Sequence, residues 1–166
     1  MMAEKRLWKL LRQNIKRRFS YTESHIERIE NAIGSGNPDV NYLLLDVEGW
    51  IELKDAESPK RDSSIIFTRG TIRDSQHIWH ERRAQTKYRH HFFLLRSGQN
   101  VYLIHGRHHD RIEGQTHDTL IKLSLWFGKL PKVNWESLFY ELQSKSRLPN
   151  MLRKRGTRSP RGNESE

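Results

Sequence analysis

Cysteine is absent from the 166 residues, which excludes disulfides and every thiolate metal site. No apolar run approaches the ~20 residues that a membrane-spanning helix needs, so the chain is expected to work off the membrane. The basic N-terminus lacks the unbroken apolar stretch of a secretory signal, because Arg12, Asn14 and Lys16 interrupt it. The expected location is the cytoplasm. Apolar residues are scarce at 34%, beside 30% charged, which fits a modest core with polar extensions better than a dense bundle. No internal repeat is present. The length fits one domain large enough for a hydrophobic core.

Positive charge, by contrast, is in excess. The formal net charge is +10, and it is placed unevenly. Residues 1–18 carry seven Lys and Arg against Glu4, and residues 147–166 carry six against Glu164 and Glu166. Residues 19–146 are balanced, with 17 basic and 17 acidic side chains. A neutral body between two basic ends suits a polyanionic partner, nucleic acid before others. The plainer alternative is that basic ends aid solubility.

Local patterning divides the chain. Leu7, Trp8, Leu11 and Ile15 recur at helical spacing within residues 5–18, with bases on the other face. A second helix is expected from Thr22, a plausible N-cap, through Ile26, Ile29 and Ile33, ending at Gly34-Ser35-Gly36. Pro38 biases Asn37 toward extended backbone. A strand over 40–45, a turn at 46–49 and a return strand over 50–54 follow. Residues 55–63 read as a polar loop, 65–67 as a short strand and 74–88 as a helix. Strands at 91–96 and 101–105 are joined by Ser97-Gly98-Gln99-Asn100, a hairpin turn. Residues 106–117 read as a loop. Asn134 opens a last helix, with Trp135, Leu138, Phe139 and Leu142 on one face. From residue 146 the chain is basic and rich in Gly, Pro and Ser, a composition that favours disorder. The order is that of an α/β sandwich around a mixed sheet.

Side chains alternate along a strand, so Ile51 and Leu53 point to the core while Glu52 and Lys54 stand together on the other face. An isolated Glu-x-Lys pair is ordinarily a surface ion pair worth little. Three features change its meaning here. Asp39 begins the partner strand, and hairpin pairing brings it close to Glu52; two carboxylates and a main-chain carbonyl form a hard oxygen site suited to magnesium. Glu30 shares the apolar face of the expected 22–33 helix, where a carboxylate is costly unless paired or metal-bound. Gly36 and Gly49 flank the strands where the backbone turns tightly or leaves room for a ligand. Such a metal polarises a phosphate and acidifies a bound water, and Lys54 offsets charge building on the phosphate oxygens.

The run Gly36-Asn37-Pro38-Asp39-Val40-Asn41-Tyr42, followed by Glu48-Gly49-Trp50-Ile51-Glu52-Leu53-Lys54, resembles the PD-(D/E)xK nuclease superfamily. Within it, the chain is most similar to small phage-encoded nucleases of the VRR-NUC and Holliday-junction-resolvase-like type. Arg28-Ile29-Glu30-Asn31 and Arg73-Asp74-Ser75-Gln76-His77-Ile78-Trp79 add to the likeness, which covers about residues 25–106. The resemblance implies a restriction-endonuclease-like αβββαβ core, with a mixed central sheet flanked by helices. It implies a magnesium-dependent endonuclease, with manganese able to substitute, acting on branched or structured DNA, with a homodimer as an open arrangement. Asp39 and Glu52 then bind metal with the Leu53 carbonyl, Lys54 is the catalytic lysine, Glu30 the upstream acid and Gln76 a helper near the phosphate. The glycine pair expected near 85–90 is replaced by Thr86-Lys87-Tyr88-Arg89-His90, which bears on substrate preference. The chain divides into a basic helical arm (1–20), the nuclease domain (21–145) and a basic tail (146–166).

Lys60, Arg61, Arg73, Arg82, Arg83 and Lys87 are candidate phosphate contacts. His77 and His80, one helical turn apart, with His108 and His109, are weighed as zinc ligands. Without a third ligand at diagnostic spacing, a DNA-facing histidine helix is the better reading. Trp79, Trp126 and Trp135 read as core. The rival functions are a non-catalytic nucleic-acid-binding module on the same fold and a scaffold whose basic arms recruit nucleic acid for another enzyme. Neither gains from two acids facing phosphate.

Overall fold

The computed structural model describes residues 2–30 and 36–145. It is an α/β protein built on one six-stranded mixed sheet flanked by helices. Helix α1 (Met2–Arg18) is followed by β1 (Ser24–Arg28), β2 (Val40–Leu44), β3 (Val47–Ala56) and α2 (Asp74–Gln85). Then come β4 (His91–Ser97), β5 (Asn100–His105), a 3-10 turn over Gly106–Arg111, α3 (His117–Leu123), β6 (Trp126–Lys129) and α4 (Trp135–Gln143).

The strands lie in sequence order across the sheet. Every neighbouring pair is antiparallel except β3 and β4, which run parallel. That exception follows from chain length: a parallel neighbour needs a crossover, and residues 57–90, with α2 inside them, provide it. The central strands β3 and β4 are covered on both sides, so β4 (His91-Phe92-Phe93-Leu94-Leu95) reads as a continuous buried run rather than an alternating one.

Each sheet face carries its own core. On one, Val40, Tyr42, Leu44, Ile51, Leu53, Phe92 and Leu94 meet Leu7, Leu11 and Ile15 of α1 and Leu138, Phe139 and Leu142 of α4. The i, i+4, i+8 stripe of α1 is fully buried while its seven bases face outward. On the other face Phe93, Leu95, Tyr102 and Ile104 meet Ile66, Phe67, Ile72, Ile112 and Leu120. The register places Glu52 beside Phe93 and Lys54 beside Leu95, which puts both charges in line with this second, apolar surface.

Several expectations are corrected. The helix expected from residue 22 is a turn followed by strand β1, paired from Ser24↔Leu44 to Arg28↔Val40. Its burial alternates with period two, Ser24, Ile26 and Arg28 half-buried and His25 and Glu27 exposed. The pairing partner offered by β2 overrides a helical spacing carried by only three isoleucines, of which Ile33 lies outside the described residues. Residues 65–67 form no strand: Ile66 and Phe67 are buried, but their main-chain groups bond to Gln115 and Gly114 rather than to the sheet. The 74–88 helix stops at Gln85, where the Thr86 N–H bonds back to the Arg83 carbonyl. The 106–117 loop contains the 3-10 turn and leads into α3, and β6 adds a strand that the sequence does not announce. The β2–β3 turn falls at Leu45-Asp46, with Leu45 at φ +54°. The hairpin at Gly98-Gln99, helix α1 and helix α4, capped by the Asn134 side chain on the Ser137 N–H, match expectation. The basic tail lies outside the described residues.

Candidate active site

The site forms where the β2–β3 ladder ends. The last pair is Val40↔Ile51, yet β3 runs on to Ala56. Asp39 stands at the break. Its carbonyl still accepts from Ile29 N–H at 2.7 Å, continuing the β1 side. Its carboxylate reaches across to accept the Leu53 N–H at 2.9 Å, replacing the missing strand partner. The Leu53 carbonyl leaves the strand on the same side as its N–H, and so emerges next to Asp39. Upstream, Gly36 sits at φ +67° against α2, where a Cβ would lie 2.4 Å from the Ser75 carbonyl oxygen. That close approach fixes the loop carrying Pro38 and Asp39 against the helix carrying Gln76.

Glu52 is completely buried. Its Oε1 accepts from Lys54 Nζ at 2.8 Å and from the Gln76 side-chain amide. Gln76 is oriented for this: its Oε1 takes the Arg73 N–H at 2.9 Å, so the NH2 end must face Glu52. Among the described residues no donor reaches Glu52 Oε2, which is buried beside the Asp39 carboxylate. Burial, and then the neighbouring Asp39 carboxylate, push the Glu52 pKa up to about 8, against the opposing pull of Lys54.

Lys54 is nearly buried, its side chain 11% exposed, and Glu4 of α1 comes within 3.9 Å of its Nζ. Asp39, Glu52, Lys54 and Gln76 are therefore brought together, with Glu4 in support. Glu30 is not among them: it follows β1, is exposed, and shares no buried helix face. Glu4 is a site residue that the motif does not contain, yet the sequence carries its signal. It is the sole acid among seven bases in residues 1–18, and it stands three, seven and eleven residues before Leu7, Leu11 and Ile15, on their stripe. Gly49 also differs from expectation. It gives no room to a ligand; a Cβ there would lie 2.1 Å from the Tyr42 ring.

No family model matches the chain, and no curated protein matches it. The chemistry must be read from the side chains. Among the described residues no three His, Asp or Glu side chains gather to hold a metal by themselves. The donors at the β2–β3 break are instead two carboxylates, one with an unsatisfied oxygen, and a main-chain carbonyl. That all-oxygen set fits a hard divalent cation that retains several waters, as magnesium does.

The histidines weighed as zinc ligands separate. His77 pairs with His109, Nδ1 to Nδ1 at 3.0 Å, and His109 Nε2 meets Glu81 at 2.8 Å. His80 turns inward to His91, again Nδ1 to Nδ1 at 3.0 Å. Burial first, then neighbouring histidines, push His80 down to about 3, and burial with His105 and His80 pushes His91 down to about 2. The neutral His80 and His91 rings stack on each other between α2 and β4, buried from solvent. Of the candidate phosphate contacts, Lys60, Arg61, Arg73, Arg82 and Lys87 are exposed. Arg83 is half-buried, its guanidinium 4.8 Å from the Trp79 ring centre and 4.7 Å from that of Tyr88.

Proposed function

We propose that this protein is a divalent-metal-dependent endonuclease that hydrolyses DNA phosphodiester bonds. The observation that carries the reading is the convergence of Asp39, fully buried Glu52, Lys54 and Gln76, with one Glu52 oxygen left unsatisfied. The order α1–β1–β2–β3–α2–β4 supports taking the core as the αβββαβ arrangement of PD-(D/E)xK nucleases. The residue motifs support the likeness to phage VRR-NUC and junction-resolving enzymes. On that likeness, branched or structured DNA is the substrate, a homodimer stays an open arrangement, and the host cytoplasm is the place of action.

Asp39, Glu52 Oε2 and the Leu53 carbonyl are the groups that would hold magnesium, or manganese in its place. When bound, the ion supplies Lewis acidity toward the scissile phosphate and acidifies a coordinated water. The remaining roles belong to the chain. Lys54 orients the attacking water and offsets negative charge as it builds on the phosphate oxygens. Gln76 locks the Glu52 carboxylate, so its free oxygen faces the site without a search. Glu4 holds the Lys54 ammonium from the far side.

Cleavage of a labelled DNA duplex and of a four-way junction, with magnesium, manganese or EDTA, tests this. Wild type is expected to cut only with metal. Asp39→Ala and Lys54→Ala are expected to lose at least about a hundredfold in rate while still binding DNA. Metal-independent cutting, or cutting undiminished in either variant, contradicts the assignment. Binding without any cutting by wild type points to the non-catalytic module.

A further inference from the structure

Helix α2 presents a second surface that the catalytic cluster does not use. Ser75, Ile78, Trp79, Arg82, Arg83 and Thr86 recur at three- and four-residue spacing and line one groove of about 380 Å³. Its chemistry is specific in three ways. The floor is aromatic: Trp79 is half-buried and braced by Trp50, ring centres 5.8 Å apart. Ile78 is 53% exposed, an apolar side chain left to solvent beside that floor. The only charges in the lining are positive, and among the described residues neither Arg82 nor Arg83 has an ion-pair partner. Arg83 is instead held against the Trp79 and Tyr88 rings.

We infer that this groove takes an unpaired nucleobase of a DNA strand, with an adjoining phosphate on Arg82. A nucleotide is the ligand whose parts match the lining: the base for exposed Ile78 and the half-buried Trp79 edge beside it, and the anion for uncompensated Arg82, while the Arg83 guanidinium is already spent over the Trp79 and Tyr88 rings. A base within a duplex has both faces stacked, so it cannot lie on this surface; the occupant is single-stranded. Location links the groove to the reaction. Ser75 at its upper end precedes Gln76, which grips Glu52, and packs on Gly36, three residues before Asp39. The strand whose phosphate reaches the Asp39–Glu52 break passes along α2, and the helix from Ser75 to its end at Gln85 extends about 15 Å, room for a short run of nucleotides. Resting on the nuclease reading, the inference names the substrate class: DNA with an unpaired stretch beside the cleaved bond.

Binding in EDTA separates this claim from catalysis. Fluorescence anisotropy compares wild type with Ile78→Ser, Arg82→Gln and the double variant on three probes. These are a single-stranded oligothymidine, the same oligomer with central abasic sites, and a blunt duplex of equal length. Circular dichroism confirms that the variants are folded. Removing the bases is expected to weaken wild-type binding about tenfold, while the double variant is insensitive to base removal and keeps most of its duplex affinity. Equal wild-type affinity for normal and abasic strands overturns the inference, as does an equal loss on single strands and duplex, which would make Arg82 a plain phosphate ligand. A change of molecular mass in the double variant, seen by sedimentation, also overturns it and marks the groove as a surface for a second copy. Base discrimination without cleavage leaves the groove standing and removes the nuclease reading; cleavage without discrimination does the reverse.

Discussion

At Glu52 the chain accepts an electrostatic cost. Desolvation and the Asp39 carboxylate raise its pKa from 4.5 to about 8, so the folded state holds a proton there that the unfolded chain releases. Between those values each rise in pH costs stability; the contribution is whole below 4.5 and gone above about 8. The histidines act with the opposite sign. Burial lowers His80 to about 3, His91 to about 2 and His105 to about 4, so their contribution is whole above 6.5 and is lost as pH falls toward those values. Between pH 4.5 and 6.5 the three histidines outweigh the one glutamate, so stability without metal is expected to rise with pH to a maximum near 6.5 and to decline above it. Glu52→Gln keeps the shape and removes the alkaline limb. Its Tm at about pH 8.5 is expected to exceed wild type by a few degrees, about 2–4 °C per kcal/mol for a chain of this size. Thermal unfolding across about pH 4–9 checks this; an unchanged alkaline limb in the variant means that Glu52 is not the titrating group.

At the scale of elements, legibility follows the strength of the local signal. In the hairpin over residues 40–54 the two strands and their facing are readable from alternation, which sets Glu52 and Lys54 side by side, but the turn expected at 46–49 falls at Leu45-Asp46, so the register is not. Helix α1 is readable from its stripe. Strands β1 and β6 are not. They are edge strands of five and four residues, partly exposed, and burial there imposes too little pattern to outweigh a chance helical spacing. The role expected of Glu30 depends on that helix and falls with it. Glu4 is hidden for another reason: the basic charge of residues 1–18 suggests an arm, whereas α1 is part of the main core. The hairpin also carries a packing requirement that the sequence disguises. Gly49 leaves space for the buried Tyr42 ring, whose hydroxyl donates to the Leu142 carbonyl at 2.8 Å, tying β2 to α4. Gly49→Ala drives that ring from its place. The expected cost is about 1–3 kcal/mol, read from urea unfolding; a variant as stable as wild type shows that the strand gives way instead.

For the whole molecule, the charge distribution acquires a shape. Lys5, Arg6, Lys9, Arg12, Lys16, Arg17 and Arg18 are all exposed on α1, so the N-terminal charge forms a face of the folded body. Among the described residues no helix is long and apolar enough to cross a membrane. If the basic face meets DNA, affinity falls steeply with salt. Replacing Lys9, Arg12 and Lys16 with Gln is expected to lower the slope of log K against log salt by about 0.9 for each phosphate that the face no longer neutralises. An unaltered slope, measured by anisotropy on a duplex over a range of salt, takes α1 out of the interface.

The proposed sharing of one divalent cation by Asp39 and Glu52 is tested most directly by calorimetric titration of manganese into the protein at about pH 7, in two buffers of different ionisation enthalpy. With its pKa near 8, Glu52 is mostly protonated at that pH, and binding must displace the proton. The expected result is one saturable site in wild type that releases close to one proton, with binding abolished in Asp39→Ala and proton release abolished in Glu52→Gln. Manganese binding that releases no proton, or that survives unchanged in both variants, contradicts it.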